Sequence, residues 1–127
     1  MNLVALPAFT DNYIWMLHDG RQAVVVDPGE AAPVQDALRH LGLTLAAILV
    51  THRHADHVGG LAALQTGDIP VYGPRHEAIP GVTHPVQGGD KLTVLGCRID
   101  VVDAPGHTTG HVLYMLPAGL AAADPSP

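Results

Sequence analysis

Apolar positions along the chain come in short runs, each stopped within a few residues by turn formers. Residues 3–6 make the first run, and Pro7 is expected to end it as a strand. Residues 13–17 (YIWML) make a second, and the Asp19-Gly20 pair behind it is a hairpin signal. Residues 22–26 (QAVVV) are almost wholly apolar, which predicts a strand covered on both faces. Asp27-Pro28-Gly29 stops it. The period then changes. Val34, Ala37, Leu38 and Leu41 fall at i, i+3, i+4 and i+7 with Gln35, Asp36 and Arg39 between them. That spacing predicts a helix over 31–41, with Gly42 as its stop. A strand over 45–50, a helix over about 59–65 and a strand over 69–72 follow. Residues 73–85 are turn-rich, with room for a short helical segment at most.

From residue 91 the pattern is strands alone: 91–95, 98–102 and 111–116, separated by Gly96 and by Pro105-Gly106. Residues 120–127 end on two prolines in three positions and read neither as a strand completing a sheet nor as a docking helix. The order of elements predicts an α/β class with one mixed sheet carrying helices on one face, in a single domain over 1–127.

Composition narrows the class of function. Hydrophobic residues make up 47% of the chain but aromatic ones only 4%, so the core is built from Ala, Val and Leu. A formal charge of −6 argues against nucleic acid or an anionic membrane as the main partner. No uninterrupted apolar run approaches the roughly 18 residues needed to span a bilayer. The first residues lack the basic and apolar regions of a secretory signal. The single cysteine, Cys97, allows no internal disulfide and fits a reducing, cytoplasmic setting. It is expected as a buried, inert thiol.

Candidate chemistry concentrates in residues 51–60, THRHADHVGG. His52, His54, Asp56 and His57 stand in the spacing H-x-H-x-D-H, directly after one apolar run and before another. Three imidazoles and a carboxylate are costly to gather unless a cation holds them, and this mixture suits zinc, iron or manganese. A second cluster is Asp103-Ala-Pro-Gly-His107-Thr-Thr-Gly-His111. His107 sits at the apex of a tight turn after a strand, while His111 opens the next strand and reads as structural.

His52, His54 and His107 would give one ion three nitrogen ligands and leave a fourth position open, the arrangement of a catalytic zinc. Asp56 and His57 would then serve a second ion nearby. Such a pair activates water and stabilises a developing oxyanion, which points to hydrolysis of an ester, thioester, amide or phosphoester. Asp27 is either a partner that orients a ligand histidine or a simple turn former. Asp11 and Asn12 either lie near the pocket or cap a loop. Arg53 and Ala55 fill variable positions of the motif. His18, His40, His76 and His84 read as surface residues.

THRHADH followed by APGHTTGH resembles the metallo-β-lactamase superfamily. The run from MNLVALPAFTDNYIWML through VVVDPGE, ILVTHRHADHVGGL and VYGP to DAPGHTTGHVLY is similar, within it, to glyoxalase II, the hydroxyacylglutathione hydrolases. The resemblance implies an αββα metallo-hydrolase domain of which about the first half is represented, followed in the family by a helical substrate-binding domain absent from this sequence. It implies hydrolysis of S-D-lactoylglutathione to D-lactate and glutathione, with a glutathione thioester as partner and two zinc ions as cofactors.

By motif, it assigns His52, His54 and His107 to the first ion, and Asp56 and His57 to the second, with Asp56 also serving the reaction. It sets Asp124 at the position of the family's bridging aspartate. Ala123 and Pro125-Ser126-Pro127 depart from the surrounding pattern there, and Asp124 alone also reads as a solvated tail residue. The family's last histidine ligand has no counterpart here, so this chain by itself is expected to hold at most one metal tightly and to turn over little thioester. An exposed sheet edge and an uncovered apolar face are expected too. A persulfide dioxygenase of the same fold, with one iron, is the rival enzyme, and the PAFTDNYIW segment argues against it. A vestigial, non-catalytic metal-binding domain is the rival of another class.

Overall fold

The computed structural model describes residues 1–8, 12–52, 58–104, 111–116 and 121–123, with backbone alone for Asn12 and 121–123. Ten strands and two helices follow one another among these residues. Strands β1 (Asn2–Ala8), β2 (Asn12–His18) and β3 (Gln22–Val26) precede helix α1 (Ala31–Leu41). Strand β4 (Thr44–Leu49), helix α2 (Leu61–Leu64) and strands β5 (Val71–Pro74) and β6 (His84–Val86) come next. Strands β7 (Lys91–Val94), β8 (Cys97–Asp103), β9 (Val112–Met115) and β10 (Ala121–Ala123) complete the order.

One mixed sheet runs β10-β1-β2-β3-β4-β5-β6, and a second, antiparallel sheet runs β7-β8-β9. In the first, β3 through β6 are parallel while β1, β2 and β3 are antiparallel neighbours. The antiparallel pairing of β2 with β3 turns at Asp19-Gly20. Gly20 takes a φ of 89°, and the Asp19 carboxylate accepts from the backbone N–H groups of Arg21 (2.9 Å) and Gln22 (2.8 Å).

Helix α1 ends where expected. Gly42 adopts a left-handed φ of 67°, and Leu43 N–H returns to the Leu38 carbonyl at 2.8 Å.

The first sheet is buried on both faces, which explains the unbroken apolar run of β3. Val25 points into a core with Ile14, Met16, Ile48, Val34 of α1 and Leu61 and Leu64 of α2. Its neighbour Val24 points the other way, into a core with Ala47, Leu49, Leu92, Ile99, Val101 and Val112. The described residues therefore form three layers, helices on sheet on sheet. The single mixed sheet read from the order of elements is corrected by the second sheet, while the layering agrees with the αββα arrangement the resemblance implied. The outer face of the second sheet carries Val102 opposite Leu113, both over 40% exposed, with Met115 beside them at 55%. That is the uncovered apolar face expected from the sequence. No described helix is long and apolar enough to cross a membrane.

Several expectations need correction. Pro7 does not end β1, which continues to Ala8 in register with β2. The flanking β10 pairs only with Asn2 to Val4, so no ladder bond to β10 is sought from Pro7. Residues 84–86 form an edge strand inside the stretch read as turns, because an edge position tolerates Pro85. Residues 121–123 complete the first sheet beside β1, although alanines carry little strand signal of their own. His18 is buried at the end of β2, with its Nδ1 accepting the Gly20 N–H at 3.1 Å. Leu41, at the last turn of α1, is 43% exposed. Cys97 is half-buried, since it stands at the first position of β8 beside the turn at Gly96.

Candidate metal centre

The centre is built where β3 and β4 end side by side. Asp27 leaves β3 with a φ of 53°, a left-handed backbone that aspartate tolerates better than most residues. Its N–H donates to the Leu49 carbonyl, and its own carbonyl accepts from Gly29 N–H, both at 2.8 Å. The turn aims the carboxylate at Thr51, two residues beyond the Leu49 end of the neighbouring strand. Asp27 Oδ1 accepts from the Thr51 backbone N–H at 2.7 Å, and Oδ2 accepts from the Thr51 hydroxyl at 2.6 Å. Thr51 Oγ1 in turn lies 2.8 Å from His52 Nδ1.

Counting protons assigns the tautomer of His52. A carboxylate only accepts, so the single hydroxyl proton of Thr51 goes to Asp27. Oγ1 must then accept from His52, which places an imidazole proton on Nδ1; in the neutral ring the lone pair is then on Nε2. His52 is 3% exposed and its Nε2 is buried. A neutral imidazole held through Nδ1 by a hydrogen-bond relay, with its other nitrogen as donor, is the state a metal ligand needs. The residue types and this fixed tautomer fit a zinc-type cation.

The opposite wall comes from the second sheet. Val112 N–H of β9 donates to the Thr51 carbonyl at 3.0 Å. The His111 ring packs against the His52 ring, with centroids 4.5 Å apart and planes 40° from parallel. Residues 104 and 111, which flank 105–110, are joined by a 2.8 Å bond from Ala104 N–H to the His111 carbonyl. Beside them Asp103 Oδ1 accepts from Gly88 N–H at 2.8 Å, tying the end of β8 to the turn before β7.

Behind the wall, the Tyr114 hydroxyl donates to the Val50 carbonyl at 2.7 Å. Burial, helped by the Asp27 carboxylate, pushes that hydroxyl well above the ordinary phenol range, so it stays a donor.

Of the residues read as ligands, His52 is described and stands in this centre. His54, Asp56, His57, His107 and Asp124 lie outside the described residues, as do Arg53, Ala55 and Asp11. Among the described residues no group of three or more His, Cys, Asp or Glu side chains gathers. Asp27 proves to be both things the sequence allowed, a turn former and the head of the relay that orients a histidine. His40, His76 and His84 are exposed, as read.

Two participants were not singled out from the sequence. Thr51 precedes the first histidine, and a hydroxyl there was the available signal. Tyr114 carried none, because its partner lies 64 residues away.

Known proteins of similar sequence and fold are the following. A relative from Albidiferax ferrireducens named hydroxyacylglutathione hydrolase is 53% identical over 115 residues, covering 90% of this chain and 45% of the relative. One of the same name from Dechloromonas aromatica is 49% identical over 120 residues, 94% of this chain and 45% of that protein. The chain thus spans about half the length of the curated relatives it matches.

Among solved structures, the BLEG-1 B3 metallo-beta-lactamase superposes with a TM-score of 0.75 at 28% identity, over 88% of this chain and 66% of that one. ETHE1 from Myxococcus xanthus superposes with a TM-score of 0.76 at 28% identity, over 91% and 54%. Residues 8–119 match the family model described as the metallo-beta-lactamase superfamily. With its two-sheet core, its oriented His52 and that match, the chain belongs to the metallo-beta-lactamase superfamily.

Proposed function

We propose that this chain is the metal-binding part of a thioester hydrolase acting on S-D-lactoylglutathione or a related hydroxyacyl-glutathione. The single observation that carries the reading is the Asp27–Thr51–His52 relay, which sets His52 as a neutral Nε2 donor at the head of THRHADH. The relatives named hydroxyacylglutathione hydrolase supply the substrate class. His52, His54 and His107 would hold one zinc ion, and Asp56 and His57, with Asp124, would contribute to a second. When bound, zinc would supply polarisation of the thioester carbonyl and activation of water near neutral pH.

The chain's own residues have the remaining roles. Asp27 and Thr51 keep the proton of His52 on Nδ1. The Asp56 carboxylate orients the attacking water and accepts its proton. Attack on the acyl carbon breaks the C–S bond, and the glutathione sulfur leaves as thiolate. The reaction takes place in the cytoplasm, where the glutathione thioester is the partner.

Two purified chains test the reading: residues 1–127, and a version extended by the part of the relatives that this chain does not span. Zinc is measured per chain, and thiol release from S-D-lactoylglutathione is followed. The expected result is zinc on both, lost in His52→Ala, with rapid thiol release by the extended chain. Absence of zinc on the shorter chain, or an extended chain that holds zinc yet leaves the thioester intact, overturns it.

A further inference from the structure

The parallel ladder between β4 and β5 runs out at the metal centre for a reason written in the sequence. Ile48 N–H donates to the Pro70 carbonyl at 3.0 Å, and Val50 N–H donates to the Tyr72 carbonyl at 2.8 Å. The alternation of a parallel pair calls next for the N–H of residue 74 to meet the Val50 carbonyl. Residue 74 is proline and has no N–H. Val50 is fully buried, so its carbonyl needs a donor from elsewhere. Tyr114, on β9 of the other sheet, supplies it at 2.7 Å, with its oxygen also 3.4 Å from the Tyr72 carbonyl.

We infer that Tyr114 is a positioning residue: its hydroxyl clamps β9 to the chain just beyond β4 and so holds Thr51 and His52 at a set spacing from His111 and Val112. The second point of the clamp is the bond from Val112 N–H to the Thr51 carbonyl. Val50 and Thr51 lie just before His52, and Val112 lies just after His111. The inference rests on the metal-binding reading above. It adds that the site's geometry depends on a hydroxyl that touches neither metal nor substrate.

Tyr114→Phe deletes that hydroxyl and keeps the ring. Zinc affinity and the visible spectrum of the cobalt-substituted protein are measured, together with urea unfolding. The comparison variants are Val34→Ala, in the core on the far side of the first sheet, and the double variant Pro74→Ala with Tyr114→Phe. Position 74 then regains an N–H that can satisfy Val50 without restoring the clamp. Zinc binding by the unaltered chain tests the metal-binding reading, and only differences from it test the clamp.

Tyr114→Phe is expected to weaken zinc binding about 10-fold or more, the scale for losing a group behind a ligand, and to alter the cobalt spectrum. Val34→Ala is expected to lose stability with zinc affinity unchanged. The double variant is expected to recover stability while zinc binding stays weak, and it remains informative if the single variant does not fold. A Tyr114→Phe protein that binds zinc as the unaltered chain does, or a double variant that regains full zinc affinity, overturns the inference.

Discussion

Gly60 donates its N–H to the Pro28 carbonyl at 2.8 Å, so the exit from the histidine run is pinned to the turn that follows Asp27. The contact leaves no room for a side chain. A Cβ on Gly60 would stand 2.5 Å from the Glu30 carbonyl carbon, 2.6 Å from Ala31 N and 2.8 Å from the Pro28 oxygen. All three are backbone atoms and cannot rotate away. Gly60→Ala is therefore expected to cost about 1–3 kcal/mol of stability. It should also weaken zinc binding, since Gly60 follows His57 by three residues. Urea unfolding and zinc titration of the same variant check both.

Asp27→Asn should act through a proton rather than through bulk. The amide can still accept from Thr51 N–H, but its NH₂ now faces the Thr51 hydroxyl. That hydroxyl proton would turn to His52 Nδ1 and drive the imidazole proton onto Nε2, the wrong tautomer for a ligand. Zinc affinity is expected to fall about 10–100-fold. Nitrogen NMR of the zinc-free imidazole reads the tautomer directly, and an unchanged Nδ1–H would refute the account.

Val34 is the helix residue driven deepest between α1 and the first sheet, with no exposed surface. Val34→Ala removes two buried carbons and leaves a cavity, with an expected loss of about 1–3 kcal/mol. The neighbouring Gln35→Ala, on the exposed side of the same helix, should change stability by less than about 0.5 kcal/mol. Denaturant midpoints of the two variants test the contrast.

The hairpin between β2 and β3 should contribute to acid sensitivity. Hydrogen bonds from Gln22 N–H, then Arg21 N–H, hold the fully exposed Asp19 carboxyl below its ordinary value of 3.8. A depressed folded pKa means the contribution is present above the unfolded value and is lost as pH falls through the folded one. Asp19→Asn removes the titration and keeps an acceptor. The melting-temperature gap between the two proteins should be steady near neutrality and close as the solution becomes strongly acid. A gap that widens in acid would reverse the sign argued here.

In the extended chain, Asp56→Asn should depress thioester turnover far more than Arg53→Ala. The carboxylate can bind metal and take a proton, whereas Arg53 fills a variable position of the motif. Initial rates of thiol release at matched zinc loading make the comparison, and equal losses would show the roles misassigned.

Local pattern by itself determined much of the architecture. The 3.6-residue spacing of Val34, Ala37 and Leu38 defined α1 within its bounds, and Gly42 marked its end because only a residue at ease with positive φ closes a helix that way. The apolar run of β3 announced a strand covered on both faces, since neighbouring side chains point to opposite cores. The run from His52 to His57 pointed to a metal because donor types and spacing are properties of the chain itself, and that reading belongs to the proposed function. What depended on tertiary structure joins residues far apart in sequence. Asp27 meets Thr51 24 residues on, and Tyr114 meets Val50 across 64, so neither partner could be named from its own neighbourhood. The same holds for residues 121–123. Three alanines carry weak strand preference, and the strand exists because β1 offered an open edge whose backbone groups needed partners.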